Sequence, residues 1–215
     1  MTHRAHDVPR RALLMVVAIA FGGALSAGAQ DRMPPIAAER MTEAQRQAAE
    51  EFKAARGTEP SGPFVPLMRS PDVMSRARAM GDYLRYKSAL PPRLSEFLIL
   101  ITARHWTQQY EWDVHYPFAM RAGLNPDIAK AVADGRRPDG MAEDEDILYA
   151  LCMELQQNRS VSDATYARAV SRFGERGIID AVGIVGYYNL LAMVLNTART
   201  PLPANVTPAL APFPR

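Results

Sequence analysis

Glu111 and His115 lie four residues apart, the best spacing for proton chemistry anywhere in this chain. On an α-helix that interval puts both side chains on one face, within reach of each other. A carboxylate beside an imidazole fixes the histidine tautomer and tunes it for proton transfer. A third acid, Glu96, borders the apolar run Phe97-Leu98-Ile99-Leu100-Ile101. One continuous helix would set Glu96 about 22 Å along the axis from Glu111, at ~1.5 Å per residue. The acid joins the pair only if the chain turns back near Trp106-Thr107, with Thr107 capping the second helix. A desolvated acid facing a histidine would then make an acid/base site. The bland alternative is a surface contact, because E-x-x-x-H spacing is frequent by chance.

The elements that must carry these residues read as helices. Thr42 with Gln45 resembles a capping box and opens a helix to Arg56, closed by Gly57. Thr58 to Pro66 holds three prolines and is expected to be loop. Ser70-Pro71-Asp72 starts a helix to about Lys87, with Val73, Ala77, Met80 and Leu84 as its apolar stripe. Leu94, Phe97, Leu98 and Ile101 follow the helical interval, and Ile99 and Leu100 fill the far side, so this helix should be buried nearly all round. Further helices are expected from Asn125 to Ala133, Glu143 to Gln157 and Ser162 to Phe173. After a break at Gly174 another should run from Ile178 to Ala198, with Gly183 and Gly186 allowing close helix contact. No period-two alternation bounded by hairpin turns occurs, so the fold class is all-α. The expected organisation is a leader at 1–29, an N-terminal helix and Pro-rich loop at 30–69, a helical domain at 70–199 and an extended or disordered tail at 200–215.

Composition narrows the function classes. The 215 residues are 48% hydrophobic and 22% charged, ordinary for one globular domain. Arg10-Arg11, the uncharged run to Leu25 and Ser26-Ala27-Gly28-Ala29 read as an export signal cleaved after Ala29, by the Sec or a twin-arginine route. Export implies a periplasmic or secreted protein that leaves the membrane once cleaved. Removing the leader's three arginines and one aspartate balances the charges, which gives no support for nucleic-acid binding. Cys152 is the one cysteine, so no intrachain disulfide is possible, and in its apolar helical run it reads as a buried, inert thiol. No metal is expected, since catalytic zinc usually takes about three protein ligands. Beyond the leader the chain offers only two histidines, His105 and His115.

Leu94-Ser95-Glu96-Phe97-Leu98-Ile99-Leu100, then Tyr110-Glu111-Trp112 and His115, then Ala122-Gly123-Leu124, resemble the carboxymuconolactone decarboxylase family, which includes the AhpD-type alkylhydroperoxidases. Looser similarity runs through Arg159 to Asp163 and Gly186 to Asn189, so it covers about residues 70–200. The resemblance implies an AhpD-like bundle of about seven helices whose subunits form trimers or hexamers. The hydroperoxidase site of a Glu, a C-x-x-C and a His would place its Glu on Glu96, its cysteines on Gln108 and Glu111, and its His on His115. Both thiols are missing, so dithiol reduction of peroxides is not expected.

The decarboxylase branch lacks the dithiol as well. It implies a cofactor-free acid/base reaction on a small organic acid or lactone. His115 would donate the proton and Glu111 or Glu96 would orient it. Arg104 or Arg121 would bind a carboxylate, with Gln108 and Tyr187 also lining the substrate site. Export sits awkwardly with a cytoplasmic degradation pathway. The rival reading is an oligomeric helical module that binds a small molecule or a protein without catalysis.

Overall fold

Every regular element among the described residues is helical. The structure is a computed structural model describing residues 30–212 together with Met1, so the rest of the leader expected at 1–29 falls outside the described residues. Residues from Asp31 onward form one compact unit. After a 3-10 turn at Ala38–Arg40 come α1 (Glu43–Arg56), α2 (Phe64–Leu67), α3 (Pro71–Tyr86), α4 (Pro92–His105), α5 (Gln109–Arg121), α6 (Pro126–Ala133), α7 (Glu143–Asn158) and α8 (Asp163–Ala198).

α1 carries the complete capping box, Thr42 with Gln45, and ends on Gly57 in the left-handed region at φ 74°. The expected loop between α1 and α3 contains one helical turn, α2. Pro63 stands at its N-cap, where a missing N–H costs nothing, and Phe64, Pro66 and Leu67 are buried. Burial of those three side chains outweighs the proline content that suggests loop.

α4 is the hub. Every residue from Leu94 to Arg104 is buried, and α5, α6, α7 and α8 all pack on it. Fully burying one Leu, Ile or Phe stabilises by about 1.5–3 kcal/mol, so this run alone specifies the centre of the molecule. Arg93 at its start pairs with Asp144 at 2.8 Å and with Glu145, tying α4 to the head of α7.

On α3 the buried stripe is Met74, Ala77, Gly81 and Leu84, while Val73 and Met80 are exposed. Both sets fit a period of about 3.6 residues. Tyr187 of α8 decides between them, because its hydroxyl lies where a side chain at Gly81 would stand. On α8, Gly174 departs from helical geometry at φ 67°, ψ 171° as its break requires, yet the helix resumes at once. Gly183 does lie against Leu84 of α3, whereas Gly186 faces open space. α8 is long and apolar enough to span a membrane, but 56% of its most apolar window is buried within the bundle.

The proline-rich tail is docked as far as it is described. Gln109 grips Leu210 twice, donating to its carbonyl at 2.5 Å and accepting from its N–H at 3.0 Å. Leu210 itself is 2% exposed, and Arg104 donates to the Ala211 carbonyl at 2.6 Å.

Candidate active site

The site begins with the reversal between α4 and α5. Thr107 adopts φ 47°, the left-handed region that a non-glycine residue rarely enters. It is the point of reversal and not the cap. Gln108 caps α5 instead, its side-chain oxygen accepting from the Tyr110 N–H at 2.8 Å. The fold-back lays α5 antiparallel to α4 and brings together two residues 19 apart in sequence. His115 Nδ1 lies 2.7 Å from Glu96 Oε2. On the other side of the ring, His115 Nε2 is 3.5 Å from Glu111 Oε2. The imidazole thus stands between two carboxyl groups.

All three groups are largely withdrawn from water, with Glu111 and His115 each 3% exposed. Burial drives the Glu111 carboxyl up to about 8, helped by Glu96 and opposed by Arg85. Burial also pulls His115 below its ordinary value, and Arg85 adds to that, against the hydrogen bond and charge of Glu96. A carboxylate at Glu96 accepts the Nδ1–H, which leaves Nε2 as the bare nitrogen facing Glu111. At neutral pH Glu111 holds a proton beside a neutral imidazole. Its second oxygen, Oε1, is buried without a hydrogen-bond partner.

A cavity of about 120 Å3 opens beside this chain of groups, lined by Glu111 and His115 with Tyr110, Tyr187, Tyr188, Arg85 and Arg56. Tyr188 presents an edge-on ring to the imidazole, centroids 4.9 Å apart, and burial raises its hydroxyl well above the usual tyrosine range. Burial likewise lifts Tyr187 to about 12. Both phenols therefore enter as neutral O–H groups. Gly81 and Gly62 supply the room for this wall: a side chain at Gly81 would collide with Tyr187, and one at Gly62 with the Tyr110 ring.

Of the residues expected at the site, Glu96, Glu111 and His115 meet, and Tyr187 lines the cavity. The others lie elsewhere. Gln108 is buried but turned to α8, where it donates to Asn196 at 2.7 Å. Arg104 lines a different cavity, and Arg121 is exposed with its guanidinium 4.5 Å from the Phe118 ring centroid. The arginines at the site are Arg85 and Arg56, which spacing does not single out. They come from α3 and α1, and no local interval links either to Glu111.

Residues 71–146 match the model of the Carboxymuconolactone decarboxylase family. The chain carries a carboxymuconolactone decarboxylase-family segment. It holds Arg85, Glu96, Glu111 and His115, and stops before α8, which adds the two tyrosines. The structure is similar to a crystal structure of a variant of the debrominase Bmp8 in complex with 2,3,4-tribromopyrrole, with TM-score 0.63 and 13% identity over 82% of this chain and 94% of that one. At that identity the likeness shows the fold, which is AhpD-like and all-helical. No curated protein matches the chain.

Proposed function

We propose that this carboxymuconolactone decarboxylase-like chain is an enzyme that moves a proton to and from a small organic acid or lactone. The observation that carries this reading is the Glu96–His115–Glu111 chain of buried groups at the edge of a cavity. The sequence alone points to His115 as the donor, but the electrostatics favour Glu111, which keeps its proton at neutral pH while the imidazole stays neutral. In a decarboxylation, the bond to the carboxylate carbon breaks and its electron pair stays on the substrate. Glu111 then delivers its proton to that carbanionic carbon, CO2 leaves, and His115 Nε2 passes a replacement proton from solvent to Glu111. Glu96 holds the imidazole in the tautomer this relay needs.

Thiol peroxidase chemistry has no support here. Cys152 is fully buried, burial raises its thiol to about 11, and Gln108 and Glu111 occupy the dithiol positions. The same reading makes the protein an exported oligomer. The apolar leader composition supports export, and exposed Val73, Met80 and Ile179 offer a surface for self-association. Light scattering of the mature chain should give a mass of three or six subunits; a monomer refutes the oligomer.

The decisive experiment incubates the protein with a panel of small unsaturated acids and lactones in deuterated water. Proton NMR then follows CO2 loss or deuterium uptake at carbon. At least one compound should react, and Glu111→Gln and His115→Gln should abolish that reaction while keeping the helical circular dichroism. A panel with no reaction leaves a non-catalytic binding module, and variants as active as the parent would take Glu111 and His115 out of the chemistry.

A further inference from the structure

Arg85 lines the same cavity as Glu111 and His115. Its guanidinium lies over two aromatic rings, 5.3 Å from the Tyr86 centroid and 5.2 Å from that of Phe118. Its Nε is buried without a hydrogen-bond partner. The two carboxyl groups of the site pair with His115 and not with Arg85. Arg56, the other cation on the cavity wall, is already engaged. It pairs with Asp82 at 2.9 Å and lies over the Phe52 and Phe64 rings at 5.0 and 4.6 Å. A buried donor left unpaired is costly, so such groups in native structures are generally met by water or by a ligand.

We propose that Arg85 binds the carboxylate of the substrate, so that the cavity selects a small ionised acid over its neutral amide or lactone counterpart. The proposal rests on the proton-transfer reading of the same cavity. Two aromatic rings lie against the guanidinium, and its planar fork of N–H donors suits the two-point geometry of a carboxylate. Glu111 lines the same cavity with one oxygen unpartnered, so a molecule anchored at Arg85 shares that space with the proton donor. The cavity's roughly 120 Å3 is close to the ~150 Å3 that holds one benzene-sized ring. The ligand class is therefore a single-ring or short-chain carboxylate. An anion at Arg85 would also neutralise the charge that draws the Glu111 carboxyl downward, so that binding strengthens the donor's hold on its proton.

The test is calorimetric titration of the full chain with a set of one-ring carboxylates, benzoate and furan-2-carboxylate among them, each beside its primary amide. At least one acid should bind about tenfold or more tightly than its amide. Arg85→Gln should erase that preference, and Arg85→Lys should restore part of it, because charge returns without the planar fork. Glu111→Gln should keep the preference, since it removes the proton donor and not the anchor. Amides binding as well as their acids, no binding by any acid, or an Arg85→Gln chain that still prefers acids would overturn the assignment. Turnover of a neutral lactone with no acid preference would sink the anchor and spare the proton-transfer reading. Acid preference with no turnover would do the reverse.

Discussion

Two cavities of similar size differ in the groups that line them, and only one of the two borders a buried cluster of carboxyl groups and an imidazole. The first, about 120 Å3, is walled by Glu111, His115, Arg85 and the tyrosines of α5 and α8. The second, about 150 Å3, is lined by Ile101, Arg104, His105, Val132, Tyr149 and Met153 among others. In the first, an imidazole stands between two buried carboxyl groups, and burial lifts the proton affinity of Glu111 into the neutral range. In the second, Arg104 is tied to the docked tail through Ala211, and His105 is exposed at the rim. Volume does not distinguish them. Concentration of titratable groups away from water does, because desolvation is what moves a pKa into the working range.

The comparison can be broken most sharply at Glu111. Glu111→Gln should lower turnover of whichever acid reacts by about 100-fold or more, the usual reach of a positioned proton donor. The parent protein should lose any such turnover as pH rises through about 8, where Glu111 gives up its proton. Both effects should be absent from variants at the second cavity.

Stability should carry the same signature. The Glu111 carboxyl is raised from 4.5 to about 8 in the folded chain, so its contribution is fully present below 4.5 and is lost as pH rises through about 8. Urea unfolding across that window should show the parent weakening relative to Glu111→Gln by on the order of a few kcal/mol, the free energy that so large a gain in proton affinity on folding represents. A pH-independent difference between the two chains would mean Glu111 is no acid at neutral pH.

At the docked tail, Leu210→Ala should cost about 2–3 kcal/mol by emptying a buried site, with turnover per folded molecule unchanged. A parallel fall in turnover would show that the docked tail reaches the chemistry. The smallest effect is expected at Cys152→Ser, where peroxide consumption and acid turnover should both stay at parent levels. Loss of either on thiol removal would bring redox chemistry back.

Much of the site is legible in the sequence, and the limit of that legibility is instructive. The E-x-x-x-H interval fixes Glu111 beside His115 on one helix, because periodicity within an element is a local property. Glu96 requires one further step, a reversal near Trp106-Thr107, and the all-apolar run after it already demands a buried neighbour. The turn itself is built differently than expected, with Thr107 in the left-handed region and Gln108 as cap. Nearness in sequence suggests Arg104 and Arg121 for the site, but it says little about the direction a helical side chain faces across the bundle.

The sequence by itself determined the helices other than α2, their ends at Thr42, Gly57 and Asn125, the kink at Gly174, the burial of α4 and the pairing within α5. Those follow from caps, glycine conformations and apolar intervals that act over a few residues. Only the tertiary structure decided which of two helical stripes on α3 faces inward, and so which arginine reaches the cavity. That choice rests on Tyr187 filling the space over Gly81, more than a hundred positions along the chain. Contacts between distant elements are set by shape and volume at the meeting surfaces, and no interval in the sequence encodes them.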